Sequence, residues 1–170
     1  MMTILYHGSH LQVNAPLAKA GRKNLDFGPG FYTTNIKEQA ENWARIIASR
    51  KGRNVIPVIN VYHFDFQKAV KDGVRIKHFK HYDLEWLEYV VDCRKGKDIS
   101  KDYDIVEGGV ANDNVIDTVE DYEKGVITAE QALGQLRYKK INHQLCFLNQ
   151  QVIDIYLRFV ESLDLNIEEE

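Results

Sequence analysis

The chain has 170 residues, 44% of them hydrophobic and 28% charged, with a formal net charge of -3. That composition suits a single soluble domain, gives no global pull toward nucleic acid, and holds no stretch near the roughly 20 apolar residues of a membrane helix. Cys93 and Cys146 fall outside any CxxC or Cys/His spacing, which excludes a disulfide scaffold and a structural metal site; with no basic-then-apolar leader, a cytoplasmic protein is expected.

In chain order, residues 3–7 read as a strand that stops at Gly8. Residues 11–25 have no period and carry Pro16, Gly21, Arg22 and Lys23, so they form a loop. Residues 31–34 are a short aromatic and β-branched strand. Asn35 then caps a helix, with Glu38 three residues on and Ala40, Trp43, Ala44 and Ile47 at helical spacing. Residues 55–64 are a long strand that Pro57 pushes toward an edge or a strand start, and residues 74–79 a short one. The basic stretch there (Arg75, Lys77, His78, Lys80, His81) reads first as a solvated loop or edge strand and second as a nucleic-acid contact. Residues 84–91 are a helix capped by Asp83, and residues 103–106 a buried strand running into Gly108-Gly109. Two short helices follow at 114–122 and 128–136, the second opened by a Thr128/Gln131 capping box. Residues 144–148 are the last clear strand, and 152–163 carry the spacing of an amphipathic helix. The acidic residues 166–170 are a frayed tail. Strands and helices mix without regular β-α-β alternation, which predicts an α+β domain over residues 1–165, two small sheets with flanking helices.

Two motifs carry chemistry. In Tyr6-His7-Gly8-Ser9 a side-chain-free residue lets a ligand reach its N–H and C=O, one donor and one acceptor, beside an imidazole. In Asp26-Phe27-Gly28-Pro29-Gly30-Phe31-Tyr32 a rigid turn aims two aromatics to opposite faces. Either motif alone also fits plain structure: a strand-end histidine with a turn glycine, and a turn followed by core aromatics.

Together the motifs resemble the NAD-binding core of the ADP-ribosyltransferase fold, in the branch related to diphtheria toxin and the poly(ADP-ribose) polymerases. The resemblance implies a split β-sandwich of two small sheets. It implies that NAD, as substrate, is held by His7, Gly8, Ser9, Arg22, Tyr32 and Trp43, with Gly8 on the nicotinamide amide, His7 on a ribose, Tyr32 stacked on nicotinamide and Arg22 toward the pyrophosphate. The family's catalytic glutamate falls here on Gln144, so the site is His7, Tyr32, Gln144, with Glu107 as a substitute carboxylate. Glutamine keeps a hydrogen bond and lacks the charge that steadies an oxocarbenium-like transition state. The implied activity is mono-ADP-ribosyl transfer to an acceptor that is protein, nucleic acid or small molecule, or else NAD hydrolysis or NAD/ADP-ribose binding without transfer. On this reading a bulky residue at Gly8 blocks NAD with the fold near intact, and Gln144→Glu keeps or raises activity. The chain is also similar to small bacterial proteins of domain-of-unknown-function type that share residues 103–106, Ala111-Asn112-Asp113 and residues 144–147. Such proteins look like toxins with a small antitoxin partner. Asn112 and Asp113 are either ligand contacts or a helix cap.

Overall fold

The computed structural model describes residues 2–98, 100–112 and 115–165. Asp113, Asn114 and the tail expected at 166–170 lie outside the described residues.

The elements run β1 (Thr3–Ser9), β2 (Phe31–Thr33), α1 (Lys37–Lys51), β3 (Val58–Phe64), α2 (Phe66–Lys71), β4 (Ile76–His78), α3 (Leu84–Arg94), β5 (Ile105–Gly108), α4 (Ile116–Glu123), α5 (Ala129–Leu136), β6 (Gln144–Phe147), α6 (Gln150–Tyr156) and β7 (Leu157–Asp164). They form a three-stranded sheet in the order β1-β3-β7 and a four-stranded sheet in the order β2-β6-β5-β4. The first is antiparallel throughout. In the second only β4 and β5 run parallel. The molecule is thus α+β with two small sheets, as the sequence predicts. One isolated bridge, Tyr6 to Thr34, ties β1 to the chain just after β2.

Two cores follow from strand alternation. Leu5, Tyr62, Phe64, Phe31, Ile105, Leu145 and Phe147 point from both sheets into one cluster. The opposite face of the second sheet turns Val106 and Cys146 into another, closed by Phe27, Trp86, Val90 and Leu136. The α3–α5 segment therefore covers the outer face of sheet 2, while α1 covers β1 with its small-residue stripe Ala40, Ala44 and Ala48.

Local chemistry decides the boundaries. Thr128 and Gln131 form the expected capping box of α5, and Asp83 caps α3 by accepting from the Trp86 N–H. Asn35 does not cap α1: the position before the helix is Ile36, without a side-chain cap bond, and its N–H donates to Thr34 Oγ1 at 3.1 Å. The strand expected from residue 55 starts at Val58, after Pro57. The helix expected over 152–163 is a correction. It ends at Tyr156, and residues 157–164 are a strand. Its side-chain spacing fits a helix, but β3 needs a second partner, and seven register pairs with β7 satisfy it.

Candidate functional site

The site is built where the two sheets separate. Tyr6 uses both backbone groups on Thr34, its N–H donating to Thr34 O at 2.8 Å and its carbonyl accepting from Thr34 N at 2.9 Å. Residues two apart on a strand aim their backbone groups to the same edge. Gly8 therefore presents its N–H and C=O along the edge that Tyr6 leaves, and among the described residues no strand pairs with β1 there.

His7 turns the other way, onto Phe31, with ring centroids 4.5 Å apart. Its Nδ1 lies 2.7 Å from the Tyr32 carbonyl. A carbonyl only accepts, so Nδ1 carries the proton. Burial pushes the imidazole below the ordinary histidine pKa, against a smaller opposing effect of that bond. The neutral ring then keeps a lone pair on Nε2, for which no partner occurs among the described residues. The next residue but two adds a further unused group: His10 Nδ1 is buried without a hydrogen bond among the described residues.

The Tyr32 phenol donates to Gly28 O at 2.5 Å and accepts from the Phe27 N–H at 3.1 Å. Those bonds lock the Gly28-Pro29-Gly30 turn under the ring, and burial keeps the phenol protonated by raising its pKa well above 10. Gly28 needs its φ of 84° for that turn. The structure thus sets His7 and Gly8 beside the Tyr32 backbone, while the Tyr32 ring turns to the Cys146 face of sheet 2.

Gln144 opens β6, in register with Gly108. It shares the Tyr32 and Cys146 face of the sheet, while Leu145 and Phe147 enter the inter-sheet core, as alternation predicts. Its surroundings are closed: the side chain is buried and its amide donates to Gly109 O at 3.4 Å. Asp26 lies beside it, bonded by Arg94 Nη1 at 3.0 Å and the Ala111 N–H at 2.9 Å. Burial raises the Asp26 carboxyl; the Ala111 N–H, Arg94 and the Gln144 amide oppose that rise. A ribose hydroxyl at Gln144 would have to displace one of these bonds. Sequence reasoning missed this network, because nothing in the spacing of Asp26, Arg94 and Gln144 announces it.

Two expected residues lie apart. Trp43 is on the outer flank of α1, 43% exposed, with the Arg50 guanidinium 5.9 Å from its ring and no ring contact to Tyr32 among the described residues. Arg22 is exposed, without an ion pair among the described residues, one residue from Gly21, which approaches Gly30 O. Asn112 serves the chain turn, its carbonyl accepting from Val115 N and Ile116 N at 2.8 Å each. Part of the basic stretch is neutralised: Arg75 pairs with Asp104 at 3.0 Å and Lys77 with Glu85.

Glu107 does form a site, on the sheet face opposite Gln144. Its carboxylate lies 2.7 Å from His143 Nε2 and 2.9 Å from His78 Nδ1. Among the described residues no three His, Cys, Asp or Glu side chains are placed to hold a metal ion.

A family model described as "Protein of unknown function (DUF3990)" matches residues 3–159. The chain belongs to the DUF3990 family. Comparison with curated proteins and with solved structures gives no match. The family match spans both sheets up to Phe159, so His7, Gly8, Tyr32, Glu107 and Gln144 all lie within the DUF3990 region. Among the described residues no helix is long and apolar enough to cross a membrane.

Proposed function

We propose that this DUF3990 chain binds NAD at the open edge of β1 and transfers single ADP-ribose units, with an ADP-ribosyltransferase-like split sandwich as its frame. The observation that carries the reading is the edge itself. Past the Tyr6–Thr34 bridge, Gly8 offers one N–H and one C=O side by side, the complement of a carboxamide. The neutral His7 ring beside it offers an acceptor to a ribose hydroxyl. Arg22 supplies a cation without an ion pair among the described residues, on the loop that meets the Gly30 turn.

One observation favours a second reading, an NAD or ADP-ribose binding module without transfer. Gln144 carries no charge and its amide is already engaged with Gly109 O, so the electrostatic help that a carboxylate gives an oxocarbenium-like transition state is missing at that position.

Nicotinamide release and equilibrium binding with the purified chain test both. Binding with release supports transfer or hydrolysis, and binding alone supports the module. His7→Ala is expected to weaken NAD binding about tenfold, the equivalent of one lost hydrogen bond of about 1.4 kcal/mol. A parent chain with no affinity for NAD overturns the proposal.

A further inference from the structure

We propose that the groove at one end of sheet 2, its lysine rim and the exposed flank of α1 form a binding surface for single-stranded nucleic acid, with one base seated in the groove. The inference stands apart from the NAD reading above and uses none of its residues. Parallel β4 and β5 bring His78 and Glu107 to the same end, and His143 immediately precedes β6 there. With Phe79, Lys80 and Ile141 they line a groove of about 360 Å³.

The cations lie on three short segments. Residues 42–56, 78–82 and 137–143 contain no acid. Lys80 stands at the groove, and Lys139 and Lys140 lead into Ile141 on its wall. Arg45, Arg50, Lys51 and Arg53 crowd the last turns of α1 and the residues after it. All are exposed, and none has an ion pair among the described residues. Arg75 and Lys77 differ, since Asp104 and Glu85 neutralise them.

The two parts join at His143. Gln39 accepts from its N–H at 3.2 Å and donates to its carbonyl at 2.5 Å. Gln39, Trp43, Ile46 and Arg50 then follow one another along a single helix stripe, about 16 Å long. The stripe that holds α1 to β1 is a different one, Ala40, Ala44 and Ala48. Trp43 therefore has no core to fill: it is 43% exposed, with the Arg50 guanidinium 5.9 Å from its ring. Tyr138, beside Lys139, is 85% exposed. Open rings interleaved with cations are what stacked bases and their phosphates need.

The groove decides the kind of partner. Glu107 accepts from His143 Nε2–H at 2.7 Å and His78 Nδ1–H at 2.9 Å. Burial acts to raise its pKa, and the bonds and charges of the two histidines outweigh it, so it stays a carboxylate. Its side chain is still 20% exposed, with lone pairs left for a further donor. A carboxylate floor repels a phosphate and accepts from the exocyclic amino group of a base, cytosine N4 above all. The rim lysines meet the phosphates on either side. An acidic peptide would set its own carboxylates against Glu107, and a bilayer surface cannot enter the recess. Bases reach the groove and the two rings only when unpaired, so the strand is single.

Trp86 is fully buried, so quenching of the full chain's indole fluorescence reports on Trp43. Oligo-dC and oligo-dT of about 16 nucleotides are both expected to quench it, with oligo-dC the tighter because thymine has no amino group to offer. With labelled strands, Trp43→Ala is expected to lose about tenfold in affinity and Trp43→Phe to recover part of it. Replacing Lys139 and Lys140 together by alanine is expected to flatten the slope of log affinity against log salt by about 1.4. Thermal melting checks that each variant is folded. No quenching, parent-like affinity in Trp43→Ala, an unchanged salt slope or equal affinity for the two strands overturns the proposal. So does preferential binding to a duplex or to phosphatidylserine vesicles. The titration contains no NAD, so its result is separate from the fate of the NAD reading.

Discussion

Gly8 stands where α1 crosses β1, and a Cβ built there runs into the backbone of the helix, at Ala40 O and 2.8 Å from Ala44 N. The sequence showed why a ligand would want a glycine here but not that a helix also does. Gly8→Val is therefore no clean probe of NAD binding: it overpacks a backbone contact, which costs typically 1–3 kcal/mol or more. Thermal denaturation should show Gly8→Ala well below the parent, and parent-like stability would mean that α1 is free to move off the strand. Gln144 teaches the same lesson. Its face was legible from the alternation of β6, whereas its register partner Gly108 and its neighbours Asp26 and Gly109, which arrive from distant parts of the chain, were not. Gln144→Glu adds a second carboxylate beside Asp26, whose own pKa burial already raises. The new acid should also have a raised folded-state pKa, so the variant should match the parent best in acid and lose stability as pH rises through that value. Urea midpoints measured from pH 4 to 8 decide it. A variant as stable as the parent at neutral pH shows that the Asp26 network does not reach Gln144.

Elements were read well where one chemical signal dominates and badly where a vacancy elsewhere decides. The α5 capping box and the Asp83 cap were visible as residue spacings. The strand after Tyr156 was not, since no glycine or proline marks the end of α6 and the demand for β7 comes from the open side of β3. Asp104 shows how elements are then tied. Its carboxylate takes Arg75 through Nε at 3.2 Å and Nη2 at 3.0 Å, the Arg75 N–H at 2.9 Å, and Asn149 Nδ2 at 3.0 Å. These bonds join the start of β4, the approach to β5 and the cap of α6. The Arg75 hydrogen bonds are the largest cause that holds its pKa down to about 2. Because the folded value is depressed, its contribution is complete above the ordinary aspartate pKa near 3.9 and is lost as pH falls toward about 2. Asp104→Asn should remove that part of the acid sensitivity while lowering stability at neutral pH. Chemical denaturation at pH 6 and pH 3 measures both, and equal losses at the two pH values would contradict the assignment.

At the scale of the molecule, the α+β class and the pair of small sheets were legible from the mixed order of strands and helices. Which strands share a sheet was not, because the chain changes sheets after β1, β2, β3 and β6 and pairing across such distances leaves no local trace. A chain ending at Tyr156 should accordingly fail to fold: it keeps the inter-sheet core residues of β1 to β6 but leaves β3 with one partner. Circular dichroism and gel filtration would show an expanded, association-prone species, and a compact monomer would mean that β7 is dispensable.

The pairing of β3 with β7 also sets a timetable for the nascent chain. About ninety residues separate Phe64 from its partner Leu157. At roughly 5–20 residues per second, a ribosome needs about 5–20 s to bridge that gap. During the whole interval the middle strand of sheet 1 shows one bare row of N–H and C=O groups to the cell, an open template for any passing extended segment. Slow synthesis of the stretch between β3 and β7, more than half of the chain, rather than low stability of the finished protein, is where its yield would be lost.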